Sequence, residues 1–233
     1  MNRRVFLAGS ATIAAATNAA GAATIPGGEH FVVRRADFDE ASFAATLGRP
    51  AQVRQVYEAV AFQPGVLGSI KNSLNGLQFG FGYPAGSLAI ALAGHGPSSA
   101  YSFGEYLWKK YRIGDFFKLK DADGMPVTSN VFLKSASPFD PSVDPDDEKG
   151  MYQDASLEML QRRGTVVLTC HTAVEGIARS LVRRGYAGAT TNAQEVADDI
   201  LTHLIAGAVV VPSMVATLAV LQSTYRYAYT LGG

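Results

Sequence analysis

Residues 165–176 read TVVLTCHTAVEG and hold Cys170, the single cysteine among 233 residues, with His171 directly after it. A thiol reacts as the thiolate, and a nearby imidazole can take the thiol proton or lend its charge. His95 stands between two glycines in AGHGP, which leave room for an approaching ligand. Cys170, His171 and His95 are therefore the candidate catalytic residues. The same cysteine has an ordinary alternative, because free cysteine often acts as a small buried hydrophobe. His203 falls on the face of a helical pattern and reads as structural. One cysteine closes no disulfide within the chain, so it is buried, paired between chains, or a reactive thiol.

These residues need elements to position them. VRQVYEAVAF (53–62), SLAIALAG (87–94), TVVLT (165–169) and GAVVVP (207–212) are short apolar runs that read as buried strands. YRYAYT (225–230) alternates and reads as a last strand. Leu67, Ile70, Leu74 and Leu77 recur at helical spacing, as do Val174, Ile177, Ala178, Leu181 and Val182, and then Val196, Ile200 and Leu204. Residues 154–163 and 213–222 add two further helices. Ser102 with Glu105, Thr172 with Glu175, and Asn192 with Glu195 fit the spacing of helix-capping boxes. Residues 23–50 read as a weakly specified arm. Residues 114–150, rich in Pro and Asp, read as an inserted loop or lid.

Apolar strands alternating with amphipathic helices imply an α/β fold: a three-layer α/β/α sandwich on a mainly parallel, doubly wound sheet. Residues 51–233 make one such domain. In open sheets of this kind, ligands bind beyond the carboxyl ends of the strands. Cys170, His171 and His95 all fall at that edge. With Thr172 as N-cap, Cys170 lies two residues before a helix start, whose unpaired amides favour a thiolate.

The chain opens MNRRVFLAGSATIAAATNAAGAA. Arg3-Arg4, Phe6-Leu7, an Ala-rich run and Ala20-Gly21-Ala22 predict a cleaved twin-arginine-like signal peptide over 1–22 and a periplasmic protein. Its apolar run is shorter than the ~20 residues that span a bilayer. Without those residues, 18 basic side chains face 20 acidic ones, a net charge of −2. That balance gives no footprint for nucleic acid. The uncharged run 204–221 has membrane-span length, but Pro212 and Ser213 divide it into a strand and a helix, so no stable span is expected. No metal is expected, since the chain lacks C-x-x-C and H-E-x-x-H. No cofactor is expected either: GFGYPAG (80–86) follows a helix and precedes a strand, the reverse of a phosphate loop.

The order of elements in GTVVLTCHTAVEGIA, GAVVVPSMVATLAVLQ and the final YAYT resembles the DsrE/DsrF-like family of sulfur-relay proteins. KNSLNGLQFGFG followed by SLAIALAGHG resembles the front half of exported members. The resemblance covers roughly 52–230. It implies a sandwich that forms homo-oligomers, and a cysteine beside a helix start that carries a persulfide to a partner protein or small thiol. Cys170 matches that position. The alternative is a non-catalytic ligand-binding or assembly domain with a structural cysteine.

Overall fold

The computed structural model describes residues 32–62, 64–134, 142–189 and 191–232. The expected signal peptide lies outside the described residues. In chain order the principal elements are α1 (Glu40–Leu47), β1 (Val53–Ala59), α2 (Pro64–Asn75), β2 (Leu88–Gly94), α3 (Glu105–Lys110), α4 (Ile113–Phe116), α5 (Leu157–Arg162), β3 (Thr165–Cys170), α6 (His171–Arg183), α7 (Ala193–Thr202), β4 (Val209–Val211), α8 (Met214–Ser223) and β5 (Ala228–Leu231). The strands form one five-stranded sheet in the order β4-β3-β2-β1-β5. Every pairing is parallel. Helices lie on both sides, so the fold is the α/β sandwich read from the sequence.

The two faces of the sheet differ in side-chain size. On β2, Leu88, Ile90 and Leu92 face α2 and α5, packing with Ile70, Leu74, Leu157 and Leu160. Ala89, Ala91 and Ala93 alternate with them and face the other way, against Phe43 and Leu47 of α1 and Met214, Leu218 and Leu221 of α8. All seven β2 residues are buried. A strand buried on both faces must be apolar at every position, which is why LAIALAG shows no polar alternation. Fully burying each Leu or Ile here contributes about 1.5–3 kcal/mol. A third cluster joins Phe103, Leu107 and Trp108 to Val174, Ile177, Ala178 and Leu181 of α6 and Val196 and Ile200 of α7.

The chain steps from β1 to β4 in one direction along the sheet, then returns across it to β5. Right-handed crossovers send the helices of the outward steps to one face and α8 to the other. The connections therefore diverge between β3 and β4. Such a topological switch point opens a crevice at the carboxyl ends of the two strands.

The described part of the arm, residues 32–50, is more ordered than its sequence suggests. Asp39 caps α1 by accepting the Ser42 amide at 2.9 Å, and Phe43 and Leu47 enter the core. The inserted segment is mostly exposed among its described residues but is anchored to the domain at a few points. Asn130 is buried and its Nδ2 donates to the carbonyls of Tyr101 and Phe103. Phe132 stacks on Phe62 at 5.6 Å between ring centres. These contacts lie on the α2 and α3 side of the sheet, so the described part of the segment does not roof Cys170, whose side chain faces α8. The uncharged run 204–221 resolves into β4, a turn and most of α8. Among the described residues no helix is long and apolar enough to cross a membrane.

Two of the three capping boxes are corrected. Glu105 opens α3 behind Gly104, not Ser102, and its Oε2 accepts the Asn130 amide instead. Thr172 is not the cap of α6; that position belongs to Cys170. Asn192 and Glu195 do form a reciprocal box on α7. The spacing shows only that a box is possible, and competing partners decide whether it forms.

Candidate functional site

No loop separates β3 from α6. Cys170 ends the strand, caps the helix in an extended conformation, and His171 is the first helical residue. The Cys170 side chain makes no cap bond. Its Sγ instead accepts the Met214 N–H at 3.3 Å. Met214 is the first residue of α8, so the sulfur lies at the starts of two helices, α6 and α8. The partial positive charge of both helix starts favours negative charge on sulfur. Thr172 Oγ1 donates to the Pro212 carbonyl at 3.0 Å and ties the two junctions together. Cys170 is 5% exposed and packs in the cluster with Val211, Met214 and Leu168.

His95 arrives beside it through register. Gly94 pairs with Thr169 on one side and with Ala59 on the other, so His95 and Cys170 are the next residues on neighbouring strands. The turn after β2 is built for close approach. A Cβ on Gly94 would meet the Ser98 carbonyl at 2.8 Å, and Gly96 takes φ +59°. Ser98 then turns back: its Oγ accepts the His95 amide at 3.1 Å and donates to the Ala59 carbonyl. His95 Nε2 lies 2.6 Å from Oε1 of Glu58, with the two side chains 22% and 14% exposed. Tyr229, on β5, donates its hydroxyl to Oε2 of the same carboxylate. That bond pushes the Tyr229 phenol above its ordinary titration range, with a smaller contribution from burial.

His171 goes elsewhere. It is a buried helical residue, and its Nε2 has no hydrogen-bond partner. Burial lowers its pKa, opposed by the carboxylates of Glu175 one turn on and Asp198 of α7. The structure thus gathers Cys170 and His95 at one edge and turns His171 toward α7. His203 is at the carboxyl end of α7, its Nδ1 2.9 Å from the Asp199 carbonyl and its ring against Tyr106. Among the described residues no three His, Cys, Asp or Glu side chains gather in a group able to hold a metal ion.

No family model, no curated protein and no solved structure matches this chain.

Sequence reasoning missed Glu58 and Tyr229. Glu58 had a visible signal, a carboxylate next to last in an otherwise largely uncharged strand. Tyr229 had none beyond its place in an alternating segment. What the arrangement can do chemically is limited to its groups: a thiol at two helix starts, an imidazole on a carboxylate, and a phenol that reaches the same carboxylate from β5.

Proposed function

We propose that this protein is an exported, periplasmic sulfur-handling protein of DsrE-like type, with Cys170 as persulfide carrier. The observation that carries the reading is the Met214 N–H on Cys170 Sγ, which brings the start of α8 to the sulfur of the residue that stands at the N-cap position of α6. In the loading step the Cys170 thiolate attacks the outer sulfur of a donor persulfide, R–S–SH. A bond forms between Sγ and that sulfur, the donor S–S bond breaks, and the donor leaves as its thiolate. In unloading, an acceptor thiolate attacks the outer sulfur and Cys170 leaves as thiolate. Each step exchanges one S–S bond for another, with no net oxidant or reductant. With no second cysteine, the acceptor is another protein, another subunit or a small thiol. The exposed Val215 and Val220 of α8 and Tyr229 and Leu231 of β5 support the homo-oligomer that the resemblance implies.

The test is the intact mass of the folded protein after incubation with a sulfane-sulfur donor. Gain of one sulfur atom, absent in Cys170→Ser, is the expected result. An unchanged mass in the wild type sinks the reading. One observation favours a second reading, a non-catalytic binding or assembly domain: Cys170 is 5% exposed and fills the core beside α8. In that case a small alkylating agent reaches the thiol only after unfolding.

A further inference from the structure

We propose that Arg163, at the carboxyl end of α5, anchors a binding site for a small carboxylate, set between that helix end, the end of α2 and residues 150–153. The site lies at the opposite edge of the sheet from Cys170, because Arg163 precedes β3 and Cys170 ends it. It stands independently of the sulfur-handling reading.

Arg163 is a cation without an anion. Both terminal guanidinium nitrogens, Nη1 and Nη2, are buried, and neither has a hydrogen-bond partner. No ion pair among the described residues includes it. Its acidic neighbours in the chain are engaged elsewhere: Asp154 Oδ1 accepts the Ser156 amide at 2.7 Å, and Glu158 is exposed. Among the described residues the group that meets the guanidinium is the Tyr152 ring, whose centre lies 5.0 Å from Cζ. A ring face attracts the charge but is a poor acceptor for the N–H groups. Burial lowers the Arg163 pKa from its ordinary value, opposed by Tyr152. A guanidinium nevertheless stays charged in proteins, and a buried charge without a partner is costly. An oxyanion is the partner that is missing.

Tyr152 gathers the rest of the site. Asn75, the last residue of α2, donates Nδ2 to the Tyr152 carbonyl at 2.8 Å. Its buried Oδ1 is a further polar atom without a partner. Phe79 meets the Tyr152 ring edge-on at 4.9 Å and is 46% exposed, which gives the site an apolar rim open to solvent. Lys71, one turn before Asn75, donates Nζ to Gln153 Oε1 at 3.0 Å. The planar guanidinium fork matches a carboxylate through two parallel N–H···O bonds. A carboxylate also matches the single buried charge. A phosphate dianion would need a second cation, and the Lys71 ammonium is held by Gln153. In the complex Nη1 and Nη2 each donate to one carboxylate oxygen, and the apolar part of the ligand lies toward Phe79.

The probe is sodium acetate, titrated into the folded protein at pH 7 by calorimetry, with sodium chloride as the ionic-strength control. Thermal unfolding is followed in parallel. Wild type binds one acetate per chain, and its Tm rises with acetate but not with matched chloride. Arg163→Lys keeps the charge and loses the fork, so acetate binds about ten-fold more weakly or worse. Arg163→Met abolishes binding. Without acetate it unfolds no earlier than wild type, because an apolar chain of similar length replaces an unpaired buried charge. An arginine with a merely structural role gives the reverse, a destabilised Met variant and equal responses to acetate and chloride. No saturable acetate binding by wild type, an undiminished acetate response in Arg163→Met, or inorganic phosphate bound more tightly than acetate each overturns the proposal. Should the Met variant fail to fold, it counts against the unpaired charge, and wild type against Arg163→Lys still decides whether the fork binds acetate.

Discussion

Asn130 fastens the inserted segment to the domain, and removing its side chain is a stringent check on the fold. Nδ2 donates to the carbonyls of Tyr101 and Phe103, each at 2.9 Å, and Oδ1 accepts the Phe132 amide at 3.2 Å. The residue is 3% exposed, so water does not readily take over these bonds. Asn130→Ala withdraws a partner from two carbonyls and one amide. At about 1 kcal/mol net for each neutral bond, the cost is about 3 kcal/mol, on the high side of that if the backbone groups stay dry. That is a factor of roughly 100 in the folding equilibrium. For a chain of this size it corresponds to a fall in Tm of about 6–12 °C. Trp108 is the single tryptophan and is fully buried, so its fluorescence follows unfolding in urea. Asn130→Asp keeps the shape but turns a carboxylate toward two carbonyls, and it loses at least as much. A loss below about 1 kcal/mol for Asn130→Ala, at unchanged urea dependence, refutes the claim that this side chain anchors the segment.

Two other sites give sharp outcomes. His171 is held neutral by burial, with a pKa below the usual histidine value. The unfolded chain then binds the extra proton first, so the stabilising contribution is complete above about pH 6.5 and falls as pH drops below it. Urea midpoints at pH 8, 6.5 and 5 decline less in His171→Gln than in wild type; parallel declines contradict the assignment. Gly114 lies where a Cβ would come within 2.0 Å of the Val127 carbonyl oxygen. Alanine is the better helix former by about 1 kcal/mol, yet the clash is with backbone that cannot rotate away, so Gly114→Ala destabilises by about 2 kcal/mol. A variant as stable as wild type would show that the segment after α4 does not press on the helix as described.

Much of the scaffold is legible from local pattern. LAIALAG is apolar throughout because both its faces are covered, and that alone marks a central parallel strand. The Asn192–Glu195 box is readable because donor and acceptor lie three residues apart in one turn of chain. Residues 40–47 were harder, because their part in the core depends on Tyr225 and α8 far along the chain. Thr172 and Glu175 carry the right letters at the right spacing, but β3 runs straight into α6 and the helix starts before Thr172.

The sequence by itself determined the alternation of strands and helices, the parallel sheet, and the strand-end location of Cys170 and His95. Periodicity and strand ends are local properties, set by which side chains a short segment must bury. Only the tertiary structure decided what those residues meet. Glu58 and His95 are 37 residues apart, Cys170 and Met214 are 44 apart, and Glu58 and Tyr229 are 171 apart. Each contact depends on strand order and on a register set by pairing across the sheet. Shifting a strand by one residue reverses the face of every side chain it carries. Neighbours in sequence part for the same reason: Cys170 turns to α8 and His171 to α7, although no residue stands between them.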